Sequence, residues 1–197
     1  MKEEEKRSEL ISFSSDEELY FAWYLEELEK NGFVEKWVYE SKTYTLAEPI
    51  RYTYTERKIS PKKKIVTEKV KEKILLEGAS YTPDFEVYWT SKADNIFYGY
   101  SKGKDLKSFP FVVNEGRISV IEIKPIRERF NMKRLARQNL KWVYDKFKDY
   151  IQIVVPQTLF EATFTPERFL YTNKSMQKRS IRHEVNSLTH FINIYKS

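Results

Sequence analysis

The stretch Ile118-Ser119-Val120-Ile121-Glu122-Ile123-Lys124-Pro125 is apolar and β-branched until two charged residues appear at its end. Strand geometry puts Glu122 and Lys124 on one face, about 7 Å apart, and turns Ile121 and Ile123 toward the opposite layer. Pro125 closes the strand because it has no N–H to give to a ladder. A carboxylate and an ammonium at the end of such a strand are costly to bury without a purpose. The segment therefore predicts a strand of a sheet with helices packed on it, carrying chemistry at its C-terminal end.

Reading outward, Asn114-Glu115-Gly116 has turn composition, and Phe109-Pro110-Phe111-Val112-Val113 precedes it. Together they predict a hairpin into the 118–124 strand. Further upstream, Tyr81 to Trp89 alternates, with Tyr81, Phe85, Val87 and Trp89 on one side and Thr82, Asp84 and Glu86 on the other. Asp84 directly follows Pro83. If these strands pair, Asp84, Glu122 and Lys124 converge at one sheet end. Oxygen donors with no Cys or His among them suit magnesium or manganese, not zinc.

The flanks supply helices. Downstream, a helix is predicted over about 131–148, with Leu135, Leu140, Val143 and Phe147 turned to a core. Ile151 to Val155 reads as a short buried strand ending at Pro156, and a final helix begins near Asn173 or Ser175 with Val185, Leu188 and Ile192 as its stripe. Near the N-terminus, Ser15 and Glu18 form a capping-box pattern, and the helix they open runs to Lys30 with Asn31-Gly32 as its stop. Ala22, Leu25 and Leu28 mark its apolar face. Strands are expected between Phe33 and Tyr54. Residues 56–73 are strongly basic and read as a solvated loop or as a rim that touches phosphate. The order of elements predicts an α/β sheet with helices packed on it, in a single domain over 1–197.

Composition narrows the chemistry. The 197 residues contain no cysteine, which excludes disulfides, thiol catalysis and cysteine-based zinc sites. His183 and His190 stand seven apart in a stretch with helical character, but no carboxylate pattern joins them, so a surface or packing role is expected. The net charge of +6 suits a polyanionic partner. No run of 18 apolar residues is present, and the opening MKEEEKRSEL lacks the apolar stretch of a signal peptide. The expectation is a protein with no membrane span that works in the cytoplasm where it is made.

The phrases SYTPDFEVYW and ISVIEIKP resemble the PD-(D/E)XK nucleases, whose motif is a Pro-Asp, a spacer, then (Asp/Glu)-X-Lys. The wording is nearest to the Tn7-type transposition endonucleases and phage resolvase-like nucleases. SDEELYFAWYLEELEKNG and KTYTL also match those relatives, which open with a Ser-x-x-Glu helix ending at Gly and continue into an aromatic-x-Leu strand. The resemblance spans roughly residues 12–155, leaving out the basic segment and a C-terminal helical extension over about 157–197. It implies a restriction-endonuclease-like fold, a mixed central sheet flanked by helices.

The same resemblance implies that Asp84 and Glu122 ligate Mg²⁺ or Mn²⁺, with the backbone carbonyl of Ile123 as a further ligand. It implies that Lys124 orients and helps deprotonate the attacking water. Glu18 is the helical carboxylate that aligns with the Ser-x-x-Glu spacing, with Glu17 as its competitor, and Gln138 is the candidate glutamine on the following helix. Asp84 and Glu122 are 38 positions apart, more than in compact members, which predicts an inserted hairpin or loop around 90–117. Lys62, Lys63, Lys64, Arg134, Arg137 and Lys141 are candidate phosphate contacts. DNA is the partner the resemblance implies, with a homodimer or a phage or transposition complex as the assembly. The rival expectation is a protein that keeps the fold but binds nucleic acid, or builds a phage head, without cutting.

Overall fold

The computed structural model describes residues 7–59, 66–99, 109–126, 132–173 and 175–196. They form two compact units, one built from the chain up to Lys42 and from Pro83 onward, the other from Thr43–Thr82.

The first unit is a mixed central sheet flanked by helices. After a short helix α1 (Arg7–Leu10), α2 (Asp16–Lys30) runs as the capping pattern predicts. Ser15 Oγ accepts the Glu18 N–H at 3.3 Å. The other end closes by a reciprocal pair of backbone bonds: Gly32 N–H donates to Glu29 O and Phe33 N–H to Leu28 O, both at 2.9 Å. Gly32 sits at φ +74°, where a side chain is strained, and Leu28 and Phe33 on either side of it are both buried. Ala22, Leu25 and Leu28 lie in the core as the spacing predicts.

Four strands follow, β1 (Val34–Tyr39), β6 (Phe85–Trp89), β7 (Ile118–Ile123) and β8 (Ile151–Val154), hydrogen-bonded in that order. β1–β6 and β6–β7 are antiparallel, whereas β7–β8 is parallel. A parallel neighbour needs a crossover, and α3 (Met132–Phe147) supplies it between β7 and β8. Two further helices complete the unit, α4 (Pro156–Ala162), with Pro156 at its first turn, and α5 (Leu188–Lys196). No helix among the described residues is long and apolar enough to cross a membrane.

The core between sheet and helices is mostly aromatic. Tyr24 stacks on Phe164 at 4.4 Å, Phe21 meets Phe85 edge-on at 5.1 Å, and Phe97 packs on Phe191 at 5.5 Å. Such rings carry the largest buried areas of any side chains and lock one another's orientation. Ser119, in β7, is a polar residue among these rings. It is fully buried, accepts the Trp89 indole N–H at 2.8 Å and donates to Val112 O at 2.7 Å.

The second unit is two nested hairpins: β2 (Tyr44–Ala47) pairs with β5 (Ala79–Tyr81), and β3 (Ile50–Ile59) with β4 (Val66–Leu76). The β3–β4 pair is a long antiparallel ribbon whose β4 residues are all exposed.

Several expectations are corrected. Residues 56–59 and 66–73 are ladder strands, not loop; both faces meet solvent, so no apolar alternation marks them. Pro61, Lys62, Lys63 and Lys64 lie outside the described residues. The 81–89 run divides into β5 and β6 at Thr82-Pro83-Asp84. Residues 109–113 form no strand, because β7 already has β6 and β8 on its two edges. Side chains hold that segment instead: Gln152 accepts the Val112 N–H at 2.9 Å and donates to Pro110 O at 2.8 Å. Of the expected insert over 90–117, one-turn 3₁₀ segments at Ser91–Ala93 and Glu115–Arg117 are described.

The last helix starts at Leu188, not near 173, so Val185 lies before it and is exposed. His183 precedes that helix and faces Thr165 Oγ1 at 3.1 Å, so the two histidines share no helical face. Val143 is buried as expected, but Phe147 is exposed.

Ser119 gives a direct test of this packing. Ser119→Ala leaves the Trp89 N–H and the Val112 carbonyl without that partner, a cost of about 1–3 kcal/mol. Thermal melts should fall by about 2–4 °C per kcal/mol, and an unchanged melting temperature would show that the serine relay contributes nothing.

Candidate functional site

Asp84, Glu122 and Lys124 meet at the end of the β6–β7 pair. The register sets Phe85 opposite Ile121, so Asp84, one residue before β6, stands opposite Glu122. The Ile123 N–H donates to Asp84 Oδ2 at 2.5 Å, which ties the aspartate to the end of β7. On its other side the Asp84 carbonyl accepts the Glu40 N–H at 2.9 Å. Pro83 fits here, since a residue without an N–H suits the point where the ladder of β6 has not yet begun.

Lys124 follows β7 directly. Its N–H donates to Val154 O at 2.9 Å, which continues the bonding toward β8, and its ammonium pairs with Glu122 Oε1 at 2.5 Å. Glu122 is buried, whereas Lys124 keeps about a fifth of its side chain in solvent. Ile121 and Ile123 lie in the core, as the alternation requires.

The electrostatics centre on Asp84. Burial pushes its carboxyl up to about 7, and the Glu122 carboxylate beside it pushes the same way. The Ile123 N–H opposes the rise, Glu18 adds to it from further off, and Lys124 lowers it slightly. Two carboxylates competing for one buried place is an arrangement that a divalent cation relieves, since positive charge between them offsets both desolvation and repulsion. Magnesium and manganese are held by one or two carboxylates with the remaining positions left to water and phosphate oxygens, so Asp84, Glu122 and the Ile123 carbonyl are a donor set of the right chemistry. Among the described residues no three acidic or imidazole groups are gathered into a cluster of their own.

Glu18 is buried, and Glu17 is only partly so. The Glu18 carboxylate is engaged by the helix cap: Ser15 Oγ donates to Oε1 at 2.8 Å, and the Ser14 N–H donates to Oε2 at 3.0 Å. The Tyr39 hydroxyl donates to Oε2 at 2.6 Å. Glu18 thus serves α2 while contributing field at Asp84. Tyr39 is a neighbour that sequence reasoning missed. It ends β1 opposite Phe85, and burial, with the Glu18 carboxylate also raising it, pushes its hydroxyl up to about 12. Only strand pairing brings it here, and nothing local in the sequence marks it.

The remaining candidates lie elsewhere. Gln138, Arg137 and Lys141 are exposed on α3, and no described hydrogen bond links Gln138 to the carboxylates. The Arg134 side chain, like Lys62, Lys63 and Lys64, is outside the described residues. Among known proteins, no family model, curated protein or solved structure matches the chain.

The raised Asp84 carboxyl fixes a pH dependence. The folded state holds this proton up to about pH 7, against about 3.8 for an ordinary aspartate, so the contribution to stability is fully present below pH 4 and is lost as pH rises to 7. Asp84→Asn keeps an acceptor for the Ile123 N–H and removes the charge. The metal-free variant should therefore melt above wild type at pH 8, by about 3 °C or more, and match it at pH 4. Equal melts at both values would mean that Asp84 ionises without cost.

Proposed function

We propose that the first unit is a metal-dependent nuclease of the PD-(D/E)XK kind that hydrolyses phosphodiester bonds in DNA, its sheet being of restriction-endonuclease-like design. The observation that carries this reading is the meeting of Asp84, Glu122 and Lys124 at the end of β6–β7. Asp84 and Glu122 are the residues that would hold a magnesium or manganese ion, with the Ile123 carbonyl beside them. When bound, such an ion supplies positive charge to phosphate oxygens and lowers the pKa of a water.

The chain's own residues do the rest. Asp84 is fixed by the Ile123 N–H, so its second oxygen keeps a set direction. Glu122 holds the Lys124 ammonium at the mouth of the site, where that charge faces an approaching phosphate. As a scissile phosphate gathers negative charge, Lys124 stabilises it and orients the water that attacks. Burial of Glu122 and partial burial of Asp84 strengthen each of these interactions relative to water. The exposed Arg137 and Lys141 of α3 are proposed to grip the DNA backbone.

One observation favours a second reading. Lys124 already pairs with Glu122, and Ile123 with Asp84, so the trio is internally satisfied and suits a protein that keeps this fold but binds without cutting. Cleavage of plasmid and branched DNA in Mn²⁺ separates the two. Wild type should cut, and Asp84→Asn and Glu122→Gln should each abolish cutting. Cutting by both variants at the wild-type rate would remove the carboxylates from the chemistry.

Lys124→Ala isolates the lysine, because it leaves both carboxylates in place. Single-turnover cleavage with saturating enzyme and metal should slow about a hundredfold, or roughly 2.7 kcal/mol of barrier. A rate equal to wild type would make Lys124 a partner of Glu122 and nothing more.

A further inference from the structure

The β3–β4 ribbon has two unlike faces. In antiparallel pairing, residues directly opposite share a face. Tyr52 stands opposite Lys73, Tyr54 opposite Lys71, Glu56 opposite Lys69 and Lys58 opposite Thr67. That face carries four lysines against one glutamate. Lys58 and Lys71 both turn to this single carboxylate, at 3.7 and 2.9 Å, while no described carboxylate pairs with Lys69 or Lys73.

The reverse face is balanced. Arg51 pairs with Glu72 at 3.1 Å and Arg57 with Glu68 at 2.6 Å, and Thr53, Thr55 and Val70 fill the places between. The ribbon therefore concentrates unneutralised positive charge on one side. Sequence composition, which averages the two faces, hides this.

Aromatic rings lie on the charged side. Tyr52 and Tyr54 are exposed by 43% and 38%, with centroids 5.8 Å apart. Large rings left in solvent beside a row of cations serve no core. Along the partner strand, Lys69, Lys71 and Lys73 repeat every second residue, about 7 Å apart. The face is thus two parallel rows, one of π surfaces and one of ammonium groups.

We infer that the Tyr52–Lys73 face of the β3–β4 ribbon binds single-stranded DNA, its bases stacked on Tyr52 and Tyr54 and its phosphates on Lys69, Lys71 and Lys73. A base offers a π face whatever its identity, and a backbone beside it needs cations at short, regular intervals. A duplex hides its base faces inside the stack and gives the tyrosines no role. An acidic protein would use the lysines but not the paired rings. The choice of DNA over RNA rests on the proposed cleavage of DNA; the single-strand geometry does not.

The test is fluorescence anisotropy of the full chain with a labelled dT20 oligonucleotide in EDTA, so that binding is read without cleavage. Wild type should bind dT20 more tightly than a 20-base-pair duplex. Lys69→Gln with Lys71→Gln and Lys73→Gln should weaken binding and flatten its logarithmic salt slope by about 2. Tyr52→Ala with Tyr54→Ala should weaken it tenfold or more and leave that slope unchanged, while Tyr52→Phe with Tyr54→Phe should bind as wild type. Arg57→Gln with Glu68→Gln, on the reverse face, should also bind as wild type.

Failure of wild type to bind dT20, or wild-type affinity in both the lysine and the alanine variants, would overturn the assignment. So would an equal loss from the reverse-face variant, or tighter binding of duplex with no effect of the tyrosines. Preference for a U20 oligoribonucleotide over dT20 would overturn the choice of DNA. Because no metal is present, a protein that cannot cut passes or fails this test on binding alone.

Discussion

The antiparallel pairing of β6 with β7 holds Phe85 opposite Ile121, and both rings and branches on that face are buried to completion. A slip of one residue would turn Glu122 into the aromatic core and bring Ile121 to the mouth of the site, since strand faces alternate without exception. The register is therefore paid for by the core and spent on the site. Phe85 is gripped from several sides, by Phe21, Trp37 and Tyr39 at 5.1–5.8 Å, so the residue next to Asp84 has almost no freedom to drift. The carboxylates keep their unfavourable proximity because the hydrophobic side of the same strands will not move.

That rigidity extends through polar contacts which the core cannot satisfy by itself. Ser119 joins Trp89 to the 109–113 segment, and Gln152 of β8 holds the same segment from the other side. Tyr39 links the end of β1 to the cap of α2 through Glu18. All but the Ser119–Val112 bond join residues more than twenty apart in sequence, so the surroundings of the site are set by tertiary structure more than by any single element. A buried polar network of this type holds a unique arrangement only while its members stay paired.

How far the sequence could be read follows from the same distinction. The meeting of Asp84, Glu122 and Lys124 was legible because β6 alternates buried and half-buried residues, because β7 is an apolar run broken by charge only at its end, and because Pro83 and Pro125 punctuate the two. The α2 caps were legible because Ser15, Glu18 and Gly32 act within one turn. Tyr39 was not, since its role depends on which strand lies beside β1. The ribbon was not, because two wet faces leave no hydrophobic period to find. The start of α5 was misplaced where Thr172 and Ser175 bond each other at 2.8 Å and Thr172 Oγ1 takes the Gln177 N–H, local side-chain bonding that competes with a helix. Phe147 looked like a core residue from spacing, but the apolar stripe of α3 ends before its last turn.

β1 and β6 are neighbours in the sheet, yet the forty residues Thr43–Thr82 intervene between them as a compact unit. The two ends of that unit meet, with the Thr43 and Thr82 hydroxyls 2.7 Å apart, and Tyr39 already faces Phe85 across the ladder. A chain that leaves and re-enters at one point can lengthen or shorten there at little entropic cost, since closing a longer loop grows only with the logarithm of its length. Topologically the whole unit stands where a simple hairpin turn would serve. A bare turn or a different insert between β1 and β6 is compatible with the same sheet, so this junction can vary while Asp84, Glu122 and Lys124 keep their places at the end of the β6–β7 pair.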